Sequence, residues 1–100
     1  MSLKDESSRE SVRLILELII RNIVLSPDET SITFSIKERT TLYEIETIQS
    51  DYGRIIGSSG RMITALRTIA LSMASVHGFR AIVTLKNEEQ FHKRPLTEAD

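Results

Sequence analysis

The sequence predicts an α+β fold, with helices packed on one face of a small three-stranded mixed sheet. Three observations carry this. Apolar residues recur at helical spacing in two long segments, 8–24 and 62–76. Between them, Ile32, Phe34 and Ile36 alternate with Ser31, Thr33 and Ser35, the period of a half-buried strand. The resulting order is helix, strand, strand, short helix, helix, strand (α-β-β-α-α-β). Elements in that order bury their apolar faces by layering helices on one side of the sheet.

The elements follow one by one. Ser7 with Glu10 three residues later reads as a capping box. A helix is expected over 8–24, with Val12, Ile15, Leu16, Ile19 and Ile23 on its buried face. Arg13, Glu17 and Arg21 form a narrow polar stripe supported by local ion pairs. Leu14 and Leu18 flank that stripe, so the apolar arc is wider than one packing face requires. Either the helix lies deep in the fold, or part of it meets another chain. Ser26-Pro27-Asp28 ends it.

After the first strand, Glu38-Arg39-Thr40 is a turn. A second strand is expected over 41–48, with Tyr43, Ile45 and Thr47 on one face and Glu44 and Glu46 on the other. The short connection makes this pair antiparallel. Ser50-Asp51 can cap a very short helix over 53–56. Met62, Leu66, Ile69, Met73 and Val76 then recur at helical spacing, and Ile63 and Ala70 widen the stripe. His77-Gly78 ends this helix, with Gly78 suited to the left-handed position that follows one. A third strand over 79–86 is rich in Ala81, Ile82, Val83 and Leu85. From Asn87 the chain is polar and without periodicity. A mobile tail is expected there, carrying a small basic-aromatic island, Phe91-His92-Lys93-Arg94. The expected organisation is an extension over 1–7, one domain over 8–86 and the tail over 87–100.

Composition limits the function classes. One hundred residues with 40% apolar content suit a single small domain with a modest core. There is no cysteine, hence no disulfide or thiolate metal site, which fits a reducing cytoplasm. The N-terminus shows no secretory signal, and the apolar run over 12–25 is interrupted by Arg13, Glu17 and Arg21. A cytoplasmic protein without a membrane partner is expected. His77 and His92 are the two histidines, and the sequence offers no triad, carboxylate dyad or metal-ligand cluster. No enzyme, catalytic residue, cofactor or metal site is expected.

Charge is segregated along the chain. Residues 1–51 hold six basic and ten acidic residues. Residues 52–87 hold five basic residues (Arg54, Arg61, Arg67, Arg80, Lys86) and no acid. Within this basic block lies Gly53-Arg54-Ile55-Ile56-Gly57-Ser58-Ser59-Gly60-Arg61. Glycine permits positive φ and close approach. The open end of the following helix favours an anion such as phosphate. The loop is neither a Walker loop nor a dinucleotide fingerprint, since both spacings are absent. On glycine chemistry alone it is a tight helix–helix turn or a phosphate cradle.

Its flanks narrow this. The segment Ile55-Ile56-Gly57-x-x-Gly60-x-x-Ile63 resembles the signature of the KH domain, a single-stranded nucleic-acid-binding module. A helix and a strand precede the core, which is the type II arrangement. Gly60-Arg61-x-Ile63-x-Ala65-Leu66-Arg67 looks like the small bacterial single-domain KH proteins of the KhpA (YlqC) type. The resemblance covers about residues 8–86. It implies a type II KH fold and non-enzymatic binding of single-stranded RNA, by a homodimer or a heterodimer with a second KH protein. It implies a loop that clamps about four nucleotides through their backbone. Gly57, Ser58, Ser59 and Gly60 would lie along the phosphates, and Arg54, Arg61 and Arg67 would supply charge. Ile55, Ile56 and Ile63 would form an apolar floor, Ile55 as the groove residue and the other two mainly core.

One departure bears on strength. KH loops commonly carry Lys or Arg between the glycines, where this chain has Ser58 and Ser59. Each phosphate neutralised contributes roughly −0.7 to the salt slope for single strands, so this loop should bind weakly and with a shallow slope. Aromatic residues are 5% of the chain, with Tyr52 the one near the loop, so specificity should be low. The alternative is a KH-fold protein–protein interaction module with reduced or lost nucleic-acid binding.

Overall fold

The computed structural model describes residues 3–89; the Phe91-His92-Lys93-Arg94 island and the rest of the tail from 90 onward lie outside them. Helix α1 spans Leu3–Arg21, strands β1 and β2 span Ser31–Lys37 and Thr40–Glu46, helices α2 and α3 span Tyr52–Ile56 and Arg61–Val76, and strand β3 spans Arg80–Leu85. The strand order is β1-β2-β3. β1 and β2 pair antiparallel through the tight turn at Glu38-Arg39, and β2 and β3 pair parallel. This is the mixed sheet the sequence predicts. A parallel partner for β2 requires a crossover, and α2, the glycine loop and α3 supply it.

One sheet face builds the core. Ile32 from β1, Tyr43 and Ile45 from β2, and Ala81, Val83 and Leu85 from β3 pack with Val12, Leu16 and Ile20 of α1 and with Ile63, Leu66, Ala70 and Ala74 of α3. Alternation dictates the opposite face, where Ser31, Thr33, Ser35 and Lys37 are exposed. Thr41 is buried at the edge of the core, and its hydroxyl accepts from Arg9 Nε at 2.6 Å. The Arg9 guanidinium also lies 4.4 Å over the Phe79 ring, so its charge is buried against a π face.

Four details differ from the sequence reading. First, α1 begins at Leu3, so Ser7 sits inside the helix and not at its cap. Glu10 is turned the other way, because its two carboxylate oxygens accept from Arg13 Nε and Nη2 at 2.9 and 2.8 Å. That bond holds the Glu10 carboxyl below its usual pKa and the Arg13 guanidinium above its own. Second, Ile15 is 44% exposed, and Ile20 takes its place in the core. Third, the buried stripe of α3 is Ile63, Leu66, Ala70 and Ala74, while Ile69 and Val76 are exposed. Ala70 belongs to the expected stripe and Ala74 carries little weight in an apolar pattern, yet both small side chains suit a helix packed against the sheet and α1. Fourth, the Asp51 side chain does not cap α2. It is buried and accepts the backbone N–H groups of Leu25 and Ser26, both at 3.0 Å.

Candidate nucleic-acid interface

The glycine loop is the joint between α2 and α3. α2 closes with the Gly57 N–H donating to the Gly53 carbonyl at 2.8 Å. Gly57 then leaves the helix at φ 81°, ψ 170°. Its position has no room for a side chain, since a Cβ there would stand 2.6 Å from the Met62 Cβ and 2.7 Å from the Met62 nitrogen. Ser58–Gly60 form one 3-10 turn, closed by the Gly60 N–H on the Gly57 carbonyl at 3.0 Å. Within it Ser59 takes φ 55° and Gly60 φ 74°, both left-handed. A non-glycine residue in that region is held at a cost of about 1–2 kcal/mol, and such residues gather at functional sites.

The turn delivers the chain into the first turn of α3, which no side chain caps. The Arg61 N–H donates back to the Ser58 carbonyl, and the positive dipole end of a helix of this length lies beside the loop. Turns of this kind aim successive N–H groups to one side and make anion-binding concavities. Ser58 and Ser59 are exposed and can add hydroxyl donors. Arg54 and Arg61 flank the turn in the chain and are also exposed.

The other predicted site residues fall into two groups. Ile55, Ile56 and Ile63 are all buried. Ile55, expected as the groove residue, is 0% exposed, because α2 turns it straight into the core. Ile56 is 6% exposed and lies next to the loop in the chain. Arg67 is turned toward the sheet: its Nε donates to the Val83 carbonyl at 3.0 Å, and its Nη2 lies 3.6 Å from Glu88. Tyr52, the aromatic nearest the loop, is buried, and its hydroxyl donates to the Lys86 carbonyl at 2.9 Å.

Asp51 is the supporting residue that sequence reasoning assigned differently. Its carboxylate ties the segment after α1 to the start of α2, and Arg54 Nε lies 3.8 Å from it. The acid was visible in sequence, but its partners, 25 and 26 residues away, were not. Among the described residues, no group of three His, Cys, Asp or Glu side chains gathers to hold a metal ion. No helix among them is long and apolar enough to cross a membrane.

Comparison with known proteins agrees with this geometry. Residues 13–85 match the family described as KhpA/KhpB, KH domain. Similar curated proteins include the RNA-binding protein KhpA of Chlamydia pneumoniae, 36% identical over 74% of this chain and 95% of the relative. The protein of that name in Chlamydia caviae is 34% identical, over the same shares of the two chains. That of Clostridium acetobutylicum is 28% identical over 74% of this chain and 99% of the relative. No solved structure matches significantly. With the family match spanning most of the chain and relatives above 30% identity covered nearly end to end, the chain belongs to the KhpA/KhpB KH-domain family.

Proposed function

We propose that this protein is a non-enzymatic, cytoplasmic binder of single-stranded RNA, with the turn from Gly57 to Gly60 as a backbone clamp. The observation that carries the reading is the turn itself: left-handed residues opening onto the uncapped start of α3. The relatives, named as RNA-binding proteins, support it. In this reading the backbone N–H groups and hydroxyls of Ser58 and Ser59 hold consecutive phosphates, since the Gly57 and Gly60 N–H groups close α2 and the turn itself. Arg54 and Arg61 supply the local charge. Ile56 borders the groove, while Ile55 and Ile63 hold the floor rigid from beneath. Arg67, bonded to the Val83 carbonyl, adds to the basic field rather than touching the ligand.

Binding by one domain is weak and low in sequence specificity. The loop side chains are uncharged, and Tyr52 is buried away from any stacking role. A homodimer, or a heterodimer with a second KH protein, compensates by placing two weak sites on one RNA. The exposed Leu14, Ile15 and Leu18 on α1 suit such an interface.

The test is anisotropy titration of short labelled single-stranded RNA at low salt, with the wild type and a Ser58→Asp/Ser59→Asp double variant. Two carboxylates beside the clamp should weaken binding at least tenfold, about 1.4 kcal/mol. If the wild type fails to bind, or the variant binds equally well, the clamp reading fails. A protein–protein interaction module then becomes the better account.

A further inference from the structure

The cations that no acid neutralises gather at one end of the sheet. Arg13, Arg21, Arg54, Arg67 and Lys86 each face a carboxylate at 2.8–3.8 Å, and Arg9 is buried over the Phe79 ring. Arg61 beside the clamp, Lys37, Arg39 and Arg80 are exposed, and among the described residues they form no ion pair. Lys37 and Arg39 belong to the acidic first half of the chain and Arg80 to its acid-free block, so only the fold brings these three together.

Strand register does so. Lys37 pairs with Thr40 across the β1–β2 hairpin, and Thr40 pairs with Arg80 on β3. Arg39 stands in the turn itself, and its carbonyl accepts the Arg80 N–H at 2.9 Å. Paired residues share a face, so Lys37 and Arg80 both project from the open side of the sheet, two strand spacings or about 10 Å apart. Glu38, the acid of the turn, offsets one of the three charges. Like charges left unpaired on neighbouring strands repel one another and attract a polyanion. The patch stands at the start of β3, and the clamp lies toward the other end of that strand. The Tyr52 hydroxyl, at the head of α2, donates to the Lys86 carbonyl just beyond β3. Six residues of strand separate the two ends, about 20 Å. Even stacked at about 3.4 Å per nucleotide, about twelve nucleotides of RNA span about 40 Å.

We propose that Lys37, Arg39 and Arg80 form a second phosphate-contact patch, which takes the part of an RNA strand that runs beyond the clamp. This rests on the RNA-clamp reading and extends it to the hairpin end of the sheet, away from the glycine turn. The clamp holds a few nucleotides weakly. The patch adds affinity that grows with RNA length and falls with salt.

The experiment is anisotropy titration of the full chain with labelled single-stranded RNAs of about five and about twelve nucleotides, at several salt concentrations. The wild type should bind the longer RNA about tenfold more tightly and with a steeper salt slope. A Lys37→Gln/Arg39→Gln/Arg80→Gln variant should lose that gain and keep wild-type affinity for the short RNA. Its slope for the longer RNA should be shallower by about 2, from three contacts at roughly 0.7 each. Equal affinity of variant and wild type for the longer RNA overturns the inference and leaves an acidic protein as the partner the patch fits. An equal loss on both lengths also overturns it, because the charges would then act only as a general field. If Ser58→Asp/Ser59→Asp binds both RNAs as the wild type does while the patch variant loses the longer one, the clamp reading fails and the patch stands. A wild type that binds neither RNA sinks both.

Discussion

Tyr43 shows how one residue is held and what that implies. It lies fully buried in the central strand, with its ring 5.7 Å from that of Phe34 and its hydroxyl donating to the Arg9 carbonyl at 2.9 Å. Burial pushes its pKa from 10.0 up to about 12. Below pH 10 the phenol is protonated in both folded and unfolded chains, and its stabilising contribution is complete. As pH rises from 10 to 12, the unfolded chain ionises first and stability falls. Above that the loss levels off, at about 3 kcal/mol for a difference of this size. Tyr43→Phe should lose about 1 kcal/mol near neutrality with its hydrogen bond. It should also show a flatter decline in urea midpoint between pH 8 and 11.5. Parallel declines in the two proteins would show that another group governs alkaline unfolding. At this scale the loop was legible in sequence, because positive φ and close approach select glycine at 57 and 60. The burial of Ile55 and Tyr52 was not, because an apolar residue beside a functional loop looks the same whether it faces in or out.

Among the elements, α2 is the one whose placement depends most on a single side chain. It is five residues long, too short to be stable alone, so its position relies on its anchors. Ile55 and Ile56 hold it from the core side, and Asp51 holds it from its start. The Asp51 carboxylate takes backbone N–H groups from the segment after α1, so the site helix is locked to a distant part of the chain. Removing it leaves two part-buried backbone donors without their acceptor, which costs about 1–3 kcal/mol. Asp51→Ala should lower the urea midpoint accordingly, and Asp51→Asn, which keeps one acceptor oxygen, should lower it less. Equal midpoints for Asp51→Ala and the wild type would refute the lock. Periodicity located α1 and α3 and most of each buried face, but it also placed Ile15, Ile69 and Val76 there, and these are exposed. Helical spacing is satisfied by several neighbouring stripes, and the choice among them is made by what packs opposite. Ala70 and Ala74 are 0% exposed while Val76 is 82% exposed, the reverse of what side-chain size suggests.

The apolar arc of α1 is not absorbed by the core. Leu14 and Leu18 remain 50% and 65% exposed, so the helix is not sunk deep in the fold and that face is free to meet another chain. On the dimer reading, light scattering at micromolar concentration should give at least twice the monomer mass, and Leu18→Glu should shift it toward monomer with an unchanged far-UV circular dichroism spectrum. A wild-type monomer at high concentration would remove that reading. The element order, the sheet-facing alternation and the glycine turn are all legible in the linear chain. Each of these rests on local rules: periodicity, turn chemistry and the sterics of φ. The burial of Ala74 with Val76 left outside, the place of Ile55 in the core and the reach of Asp51 to the segment after α1 emerge when the chain is folded. Those outcomes depend on which surfaces meet across the fold, and no local pattern records the partner.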